Sequence, residues 1–339
     1  MANGKGPKVV VIGGGTGTFT VLSSLKYYVG DITAIVNMVD DGGSTGVLRD
    51  ELGALPPGDV RQSLVALSSV SEELRGLFNY RFPKGSFASG HSFGNLFISA
   101  LEQVTGSMSA AVRVAGEVLA IQGKVIPATT DNVRLMLETA DGRIIRGEDK
   151  IGEGSAEDRL FVKGEPHKLW LEPAAKLNPE AKKAIAEADL IVIAPGKLYS
   201  SILPSLLIDG MADALCKSKA KKIYVTNLMT RPNQTAGFSV QDFADEVERY
   251  AGAPILDYVI YNTERPTKSL LDKYALEGER EPVEFNKKTL ANEHYQAIGE
   301  PLISKAHVKQ NAADTMLKRT LIRHDSDKIA RLIMRIYFS

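Results

Sequence analysis

The fold turns on the opening run Lys8-Val9-Val10-Val11-Ile12-Gly13-Gly14-Gly15-Thr16-Gly17 and the residues that follow it. Lys8–Ile12 forms a β-branched run that ends in glycines, which reads as a buried strand. Thr18 to Val29 then takes up a helical rhythm. A second apolar run, Ile32–Val39, ends in Asp40-Asp41-Gly42-Gly43. Strand, glycine loop, helix and strand make a βαβ unit, so the two strands should be parallel neighbours joined by a right-handed crossover.

Beyond this unit, Asp59–Leu67, Glu72–Tyr80 and Phe93–Val104 read as helices. From about Glu117 the pattern changes. Asn132–Thr139 alternates polar and apolar residues, and Asp141-Gly142 is a hairpin turn before Arg143–Arg146. Residues 117–172 therefore read as an antiparallel β extension. The α/β rhythm then returns, with helices at Ala181–Ala188, Ser205–Lys217 and Val240–Tyr250. Strands fall at Leu190–Ala194, Lys222–Asn227 and Leu256–Asn262, and the tail from 263 ends in a helix over Ser326–Tyr337. The fold class this predicts is α/β: a Rossmann-like, mostly parallel, three-layer α/β/α sheet with an antiparallel β extension. Residues 1–339 form one nucleotide-binding domain in this reading, with the segment 322–339 as its helical end.

Composition narrows the function. The 339 residues carry 41 basic and 41 acidic side chains, and this zero formal charge argues against a nucleic-acid binder that works through bulk electrostatics. One cysteine, Cys216, excludes an internal disulfide and a cysteine-rich metal site. No apolar run is long enough to span a membrane. The polar start and the short first apolar run do not resemble an export signal, so a cytoplasmic address is expected.

Ligands of open parallel sheets collect at the carboxyl ends of the strands, so the polar and glycine-rich loops there are the candidates. In Gly13, Gly14, Gly15, Thr16 and Gly17, glycine lets backbone N–H groups approach phosphate oxygens, and the next helix adds its positive end. The run lacks the third glycine of G-x-G-x-x-G and the Lys-Ser/Thr of a P-loop. In Asp40-Asp41-Gly42-Gly43-Ser44, an acid can meet a ribose hydroxyl, the pair can hold Mg²⁺ against phosphates, or an Asp can close an Asx turn. Asp59 reads as a helix N-cap. Arg61 lies in a first helical turn, where a cation opposes the helix dipole, so an anionic partner is expected: Asp59 or a phosphate. Gly90-His91-Ser92-Phe93-Gly94-Asn95 opens a helix. His91 there can serve as a general acid, a phosphate donor, or a hydrogen bond to the backbone. Pro195-Gly196-Lys197-Leu198-Tyr199-Ser200 can bind a second anion through amides, Ser200 and Lys197. Asn227 and Arg323 complete the set, each with a bland alternative as a loop stabiliser or a partner of a surface acid.

Taken in order, the strings GGGTG, DDGGSTG-LR, PPGD-R, GHSFGN, PG-LY-S-LP, NLMT and RHD closely resemble the gluconeogenesis factor family of the YvcK type, within the CofD-like, 2-phospho-L-lactate transferase superfamily. The resemblance runs from Val9 to about Ile333 and is weakest through 263–320. Lys197 departs from the serine expected in the PG-S-LY string, and Thr18-Phe19 from a more aliphatic pair. The resemblance implies a UDP-sugar ligand such as UDP-N-acetylglucosamine. It also implies a role in growth on gluconeogenic carbon sources, cell shape and cell-wall precursor control, in place of a known turnover reaction. On that analogy the Gly13–Gly17 loop, Asp40, Asp41, His91, Asn95 and Arg323 line the site. No cofactor beyond Mg²⁺ at Asp40 and Asp41 is implied, and a homo-oligomer and cell-wall enzymes are the protein partners to consider. Two other functions stay open: a Mg²⁺-dependent transferase using a nucleotide-activated donor, and an NAD(P)-binding oxidoreductase.

Overall fold

The computed structural model describes residues 6–153, 158, 160–165, 167–275, 281–305 and 322–339. The opening βαβ unit forms as read. β1 (Lys8–Gly13) pairs in parallel with β2 (Asp31–Val36), and α1 (Gly15–Leu25) crosses between them. The chain next builds four helices on one side: α2 (Gly43–Leu52), α3 (Pro57–Leu67), α4 (Glu72–Asn79) and α5 (Phe93–Thr105). A fifth, α6 (Met108–Val118), leads into β3 (Lys124–Pro127). β3 pairs in parallel with β2 and belongs to the central sheet. The extension therefore begins after residue 127, later than the expected 117. Lys124–Pro127 is short and apolar, and periodicity alone cannot assign such a run to one sheet or another.

The extension is a three-stranded antiparallel sheet of β4 (Arg134–Glu138), β5 (Ile144–Arg146) and β6 (Lys168–Glu172), ordered β5-β4-β6. A short helix, α7 (Glu148–Glu153), follows β5. The α/β alternation resumes with α8 (Pro179–Glu187) and β7 (Leu190–Ile193), then a π-helical turn at Leu198–Ile202. The single helix expected at 205–217 is two, α9 (Leu203–Leu206) and α10 (Met211–Lys217), divided at Gly210 in the left-handed region. Next come β8 (Lys221–Val225), α11 (Val240–Ala251), β9 (Tyr258–Asn262), α12 (Lys268–Ala275) and α13 (Lys287–Leu290). β10 (Gln296–Glu300) and α14 (Ser326–Phe338) complete the described chain.

Among the described residues the central sheet has seven strands in the order β10-β9-β8-β7-β1-β2-β3, each pair parallel. Alternate residues of β1 face opposite layers. Val9 and Val11 join α1, α3, α5, α6 and α14 in one core. Val10 and Ile12 join α8–α11 and the inward leucines of β4 and β6 in the other. This is the α/β/α sandwich that the alternation predicts. No described helix is long and apolar enough to cross a membrane.

The glycine loop is tied to the strand beside it. A Cβ at Gly17 would sit 1.6 Å from the carbonyl oxygen of Pro195, a backbone atom that cannot step aside. Gly17→Ala should therefore cost about 1–3 kcal/mol through forced displacement of α1 from the β7 loop. Urea unfolding checks this, and an unchanged midpoint would show that the two segments can separate freely.

Candidate functional site

The strand order reverses between β1 and β7. The loops after these strands must diverge to opposite faces of the sheet, leaving a crevice at their carboxyl ends. The crevice is a cleft of 380 Å³. Of the residues singled out in the sequence, Gly14, Gly15, Thr16, Gly17, Asp40, Gly196, Lys197, Ser200, Asn227 and Arg323 line it. Gly13 ends β1 just before the loop.

The glycine loop is shaped by a carboxylate. Asp59 lies in the first turn of α3, which begins at Pro57, so it is not the N-cap expected from sequence. Its carboxylate accepts the Gly15 N–H. A Cβ on Gly14 would lie 2.1 Å from Asp59 Oδ2, so only glycine permits this approach. Asn227 clamps the opposite wall: its Nδ2 donates to the Gly196 carbonyl at 2.7 Å and its Oδ1 accepts the Gly196 N–H at 3.1 Å.

Asp40 and Asp41 part company. Asp40 faces the cleft, and its Oδ1 accepts the Gly42 N–H at 3.1 Å in the Asx turn that the sequence allowed. Asp41 turns to the extension, where Oδ1 accepts the Asp149 N–H at 2.8 Å and Oδ2 lies 3.5 Å from Arg134. The side chain of Arg49 holds the loop between them and α2, donating to the carbonyls of Asp40 and Val133 and to Asn132 Oδ1.

A third acid, Glu148 of α7, reaches the cleft from the extension. Burial raises the carboxyl pKa of Asp40. Burial raises Asp59 further, reinforced by the charges of Asp40 and Glu148. Burial pushes Glu148 up to about 7, with Lys197 acting the other way. Lys197 Nζ lies 3.7 Å from Glu148 Oε1 and bonds Glu153 Oε1. Mg²⁺ takes oxygen ligands in near-octahedral geometry. Asp40 and Asp41 do not form one chelating pair, since the oxygens of Asp41 are committed elsewhere. Among the described residues, no three His, Cys, Asp or Glu side chains are placed to hold a metal ion. The Asp40–Asp41 pair therefore does not fit a resident Mg²⁺.

The remaining sequence candidates sit beside the cleft and do not line it. Gly42 and Gly43 open α2. Ser44 Oγ meets His91 Nδ1 at 2.9 Å and accepts from Asn95 Nδ2 at 3.3 Å. Asn95 Oδ1 accepts from Arg61 Nε at 2.9 Å, and Arg61 also donates to Asn79 Oδ1 at 2.5 Å. The partners of Arg61 thus include two amide oxygens. Ser92 caps α5. These residues form a polar seam joining α2, α3, α4 and α5. His324, next to Arg323, lines the cleft. Burial lowers its pKa to about 4, so the ring is neutral and Nε2–H donates to the Thr226 carbonyl at 3.1 Å.

The raised pKa of Glu148 has a consequence for stability. Its folded value lies above the ordinary carboxyl value of 4.5, so the folded protein holds this proton where the unfolded chain has released it. The stability this gives is complete at low pH and is lost as pH rises through about 7. Glu148→Gln should thus gain stability relative to the parent by roughly 1–3 kcal/mol between about pH 5 and pH 8. Melting curves across that range check it, and a pH-independent difference would contradict the burial argument.

Comparison with known proteins agrees with this architecture. Residues 9–303 match the family model described as 2-phospho-L-lactate transferase CofD. The chain is 38% identical over 332 residues to the gluconeogenesis factor of Bacillus subtilis, covering 98% of each protein. It is 38% identical over 329 residues to the gluconeogenesis factor of Listeria monocytogenes, covering 97% of this chain and 95% of that one. A crystal structure of a Bacillus halodurans protein superposes with a TM-score of 0.87 at 36% identity, covering 97% of this chain and all of the other. Fold and sequence likeness agree: the chain belongs to the CofD family and, within it, to the gluconeogenesis factors of the YvcK type.

Proposed function

We propose that this protein binds a UDP-sugar, UDP-N-acetylglucosamine in the first instance, and acts as a gluconeogenesis factor by responding to that ligand without converting it. The observation that carries the reading is the cleft at the β1–β7 reversal. The residues that open α1, Gly15–Gly17, line it together with Lys197, Arg231 and Arg323. Amides at a helix start and nearby cations are the usual elements of a diphosphate site. A regulator of this kind would tie cell-wall precursor level, cell shape and growth on gluconeogenic carbon sources to one ligand, acting through contacts with other proteins in the cytoplasm.

A second reading is a transferase in the same cleft. It is favoured by Glu148, whose carboxyl group, poised at about 7, can accept a proton from an attacking hydroxyl. A nucleotide-activated phospho-acid would be the donor. Product formed on incubation with such a donor and an alcohol acceptor would decide for this reading. No observation favours an NAD(P) oxidoreductase.

UDP-N-acetylglucosamine at a hundredfold excess over its Kd should stabilise the protein by about 2.7 kcal/mol, and NAD should not. Arg323→Ala should weaken UDP-sugar binding by roughly tenfold to a hundredfold, the worth of a hydrogen bond to a charged group. Calorimetric titration checks both. Stabilisation by NAD alone would overturn the proposal, and an unchanged Kd in Arg323→Ala would remove that residue from the ligand.

A further inference from the structure

We infer that Lys197 is a built-in cation, which lets a diphosphate bind above Asp40, Asp59 and Glu148 without a divalent metal. The inference rests on the reading of the cleft as a phosphate site, and concerns how that site balances its charge.

The cleft sets an electrostatic problem. Asp40, Asp59 and Glu148 all line it, and each carboxylate disfavours a neighbouring anion. Where these acids are ionised, phosphate oxygens placed over them would be repelled unless positive charge stands between. Many phosphate sites use Mg²⁺ for this, held by one or two carboxylates and by the phosphates themselves. In this cleft the ammonium of Lys197 acts on all three acids, favouring the charged form of each.

The position of Lys197 is fixed from both sides. Its backbone carbonyl accepts the Ser201 and Ile202 N–H groups at 2.8 and 3.1 Å, which anchors it at the head of the π-helical turn. Its Nζ lies between Glu148 and Glu153, at the two ends of α7. α7 is held in turn, because Gln234 Nε2 donates to the Ile151 carbonyl at 3.2 Å and Asn233 Nδ2 to the same oxygen at 3.4 Å. The ammonium is therefore held beside Glu148, one of the three acids, before any ligand arrives. A purely structural role explains it less well. Glu153 is 59% exposed, and an ion pair that open to water contributes little. Glu148, at 9% exposure, is the desolvated partner, and it belongs to the acid group. A lysine also offers three donors and no acceptor, so it can bond a carboxylate and a phosphate oxygen together. A metal placed on the same carboxylates would meet the repulsion of the ammonium.

The test is calorimetric titration of the full chain with inorganic pyrophosphate, which carries the charge without base or sugar. Titrations are run in EDTA and in Mg²⁺, on the parent, Lys197→Met and Lys197→Arg. In the parent and in Lys197→Arg, affinity in EDTA should stay within about twofold of that in Mg²⁺. Lys197→Met should lose roughly tenfold or more in EDTA, the worth of a charged hydrogen bond, and recover at least part of it in Mg²⁺. Parent binding that requires Mg²⁺ would overturn the inference. So would Lys197→Met binding as tightly as the parent in EDTA, or pyrophosphate failing to bind the parent in either condition. Melting curves establish that each variant is folded. Parallel titrations with UDP-N-acetylglucosamine separate the two ideas: metal-free pyrophosphate binding without UDP-sugar binding would reject the proposed ligand and leave the role of Lys197 standing.

Discussion

Between β1 and β7 the chain reverses the direction in which it adds strands, and the rest of the site follows from that reversal. On one side the sheet grows to β2 and β3, and on the other to β7, β8, β9 and β10. Connections that leave the two central strands go to opposite layers, so nothing in the sheet itself can fill the gap between them. The gap is bounded by turns, and the turns must be tight enough to let the two walls approach. That is why Gly17 lies against the Pro195 carbonyl and Gly14 against the Asp59 carboxylate. Hydrophobic packing on both faces makes the reversal rigid, and the polar groups at its mouth inherit that rigidity.

The same enclosure sets the chemistry. Withdrawing carboxylates from water raises their pKa, and Asp40, Asp59 and Glu148 are all raised, with burial the largest cause in each case. A crevice that holds three such groups is balanced between protonation and pairing. Lys197, Arg231 and Arg323 supply the opposite charge. His324 adds none, because burial keeps its imidazole neutral.

Much of this was legible in the sequence, for a physical reason. Strands buried on both faces are continuous apolar runs, and the glycines and acids that end them mark the ligand side of a parallel sheet. Val9–Ile12 with Gly13–Gly17, Ile32–Val36 with Asp40, and Leu190–Ile193 with Gly196 could be located that way. The helix over Gly43–Leu52 could not, because its glycines and hydroxyls look like loop and its stability comes from the tertiary anchoring of Arg49. Asp59 looked like a cap because its position fits one, and its true contact, the Gly15 N–H, is distant in sequence. Glu148 had no local signal. It follows a hairpin that reads as peripheral, and only the docking of that hairpin brings it to the crevice. His91, Ser92 and Asn95 stood out as a chemical cluster, and they form a hydrogen-bonded seam beside the cleft.

The extension is attached at the site itself. Asp41 takes the Asp149 N–H, Lys197 meets Glu148 and Glu153, and Asn233 and Gln234 hold the carbonyls that end α7. Two parts of the chain that could have been independent modules are thus joined at the cleft, where Lys197 and Glu148 both line it, as well as through the shared core. Local opening of the extension would dismantle one wall of the crevice, so occupancy and the protection of its backbone amides from hydrogen exchange are thermodynamically linked. The backbone amides of β4–β6 are therefore the place where such a coupling between cleft and extension would be read.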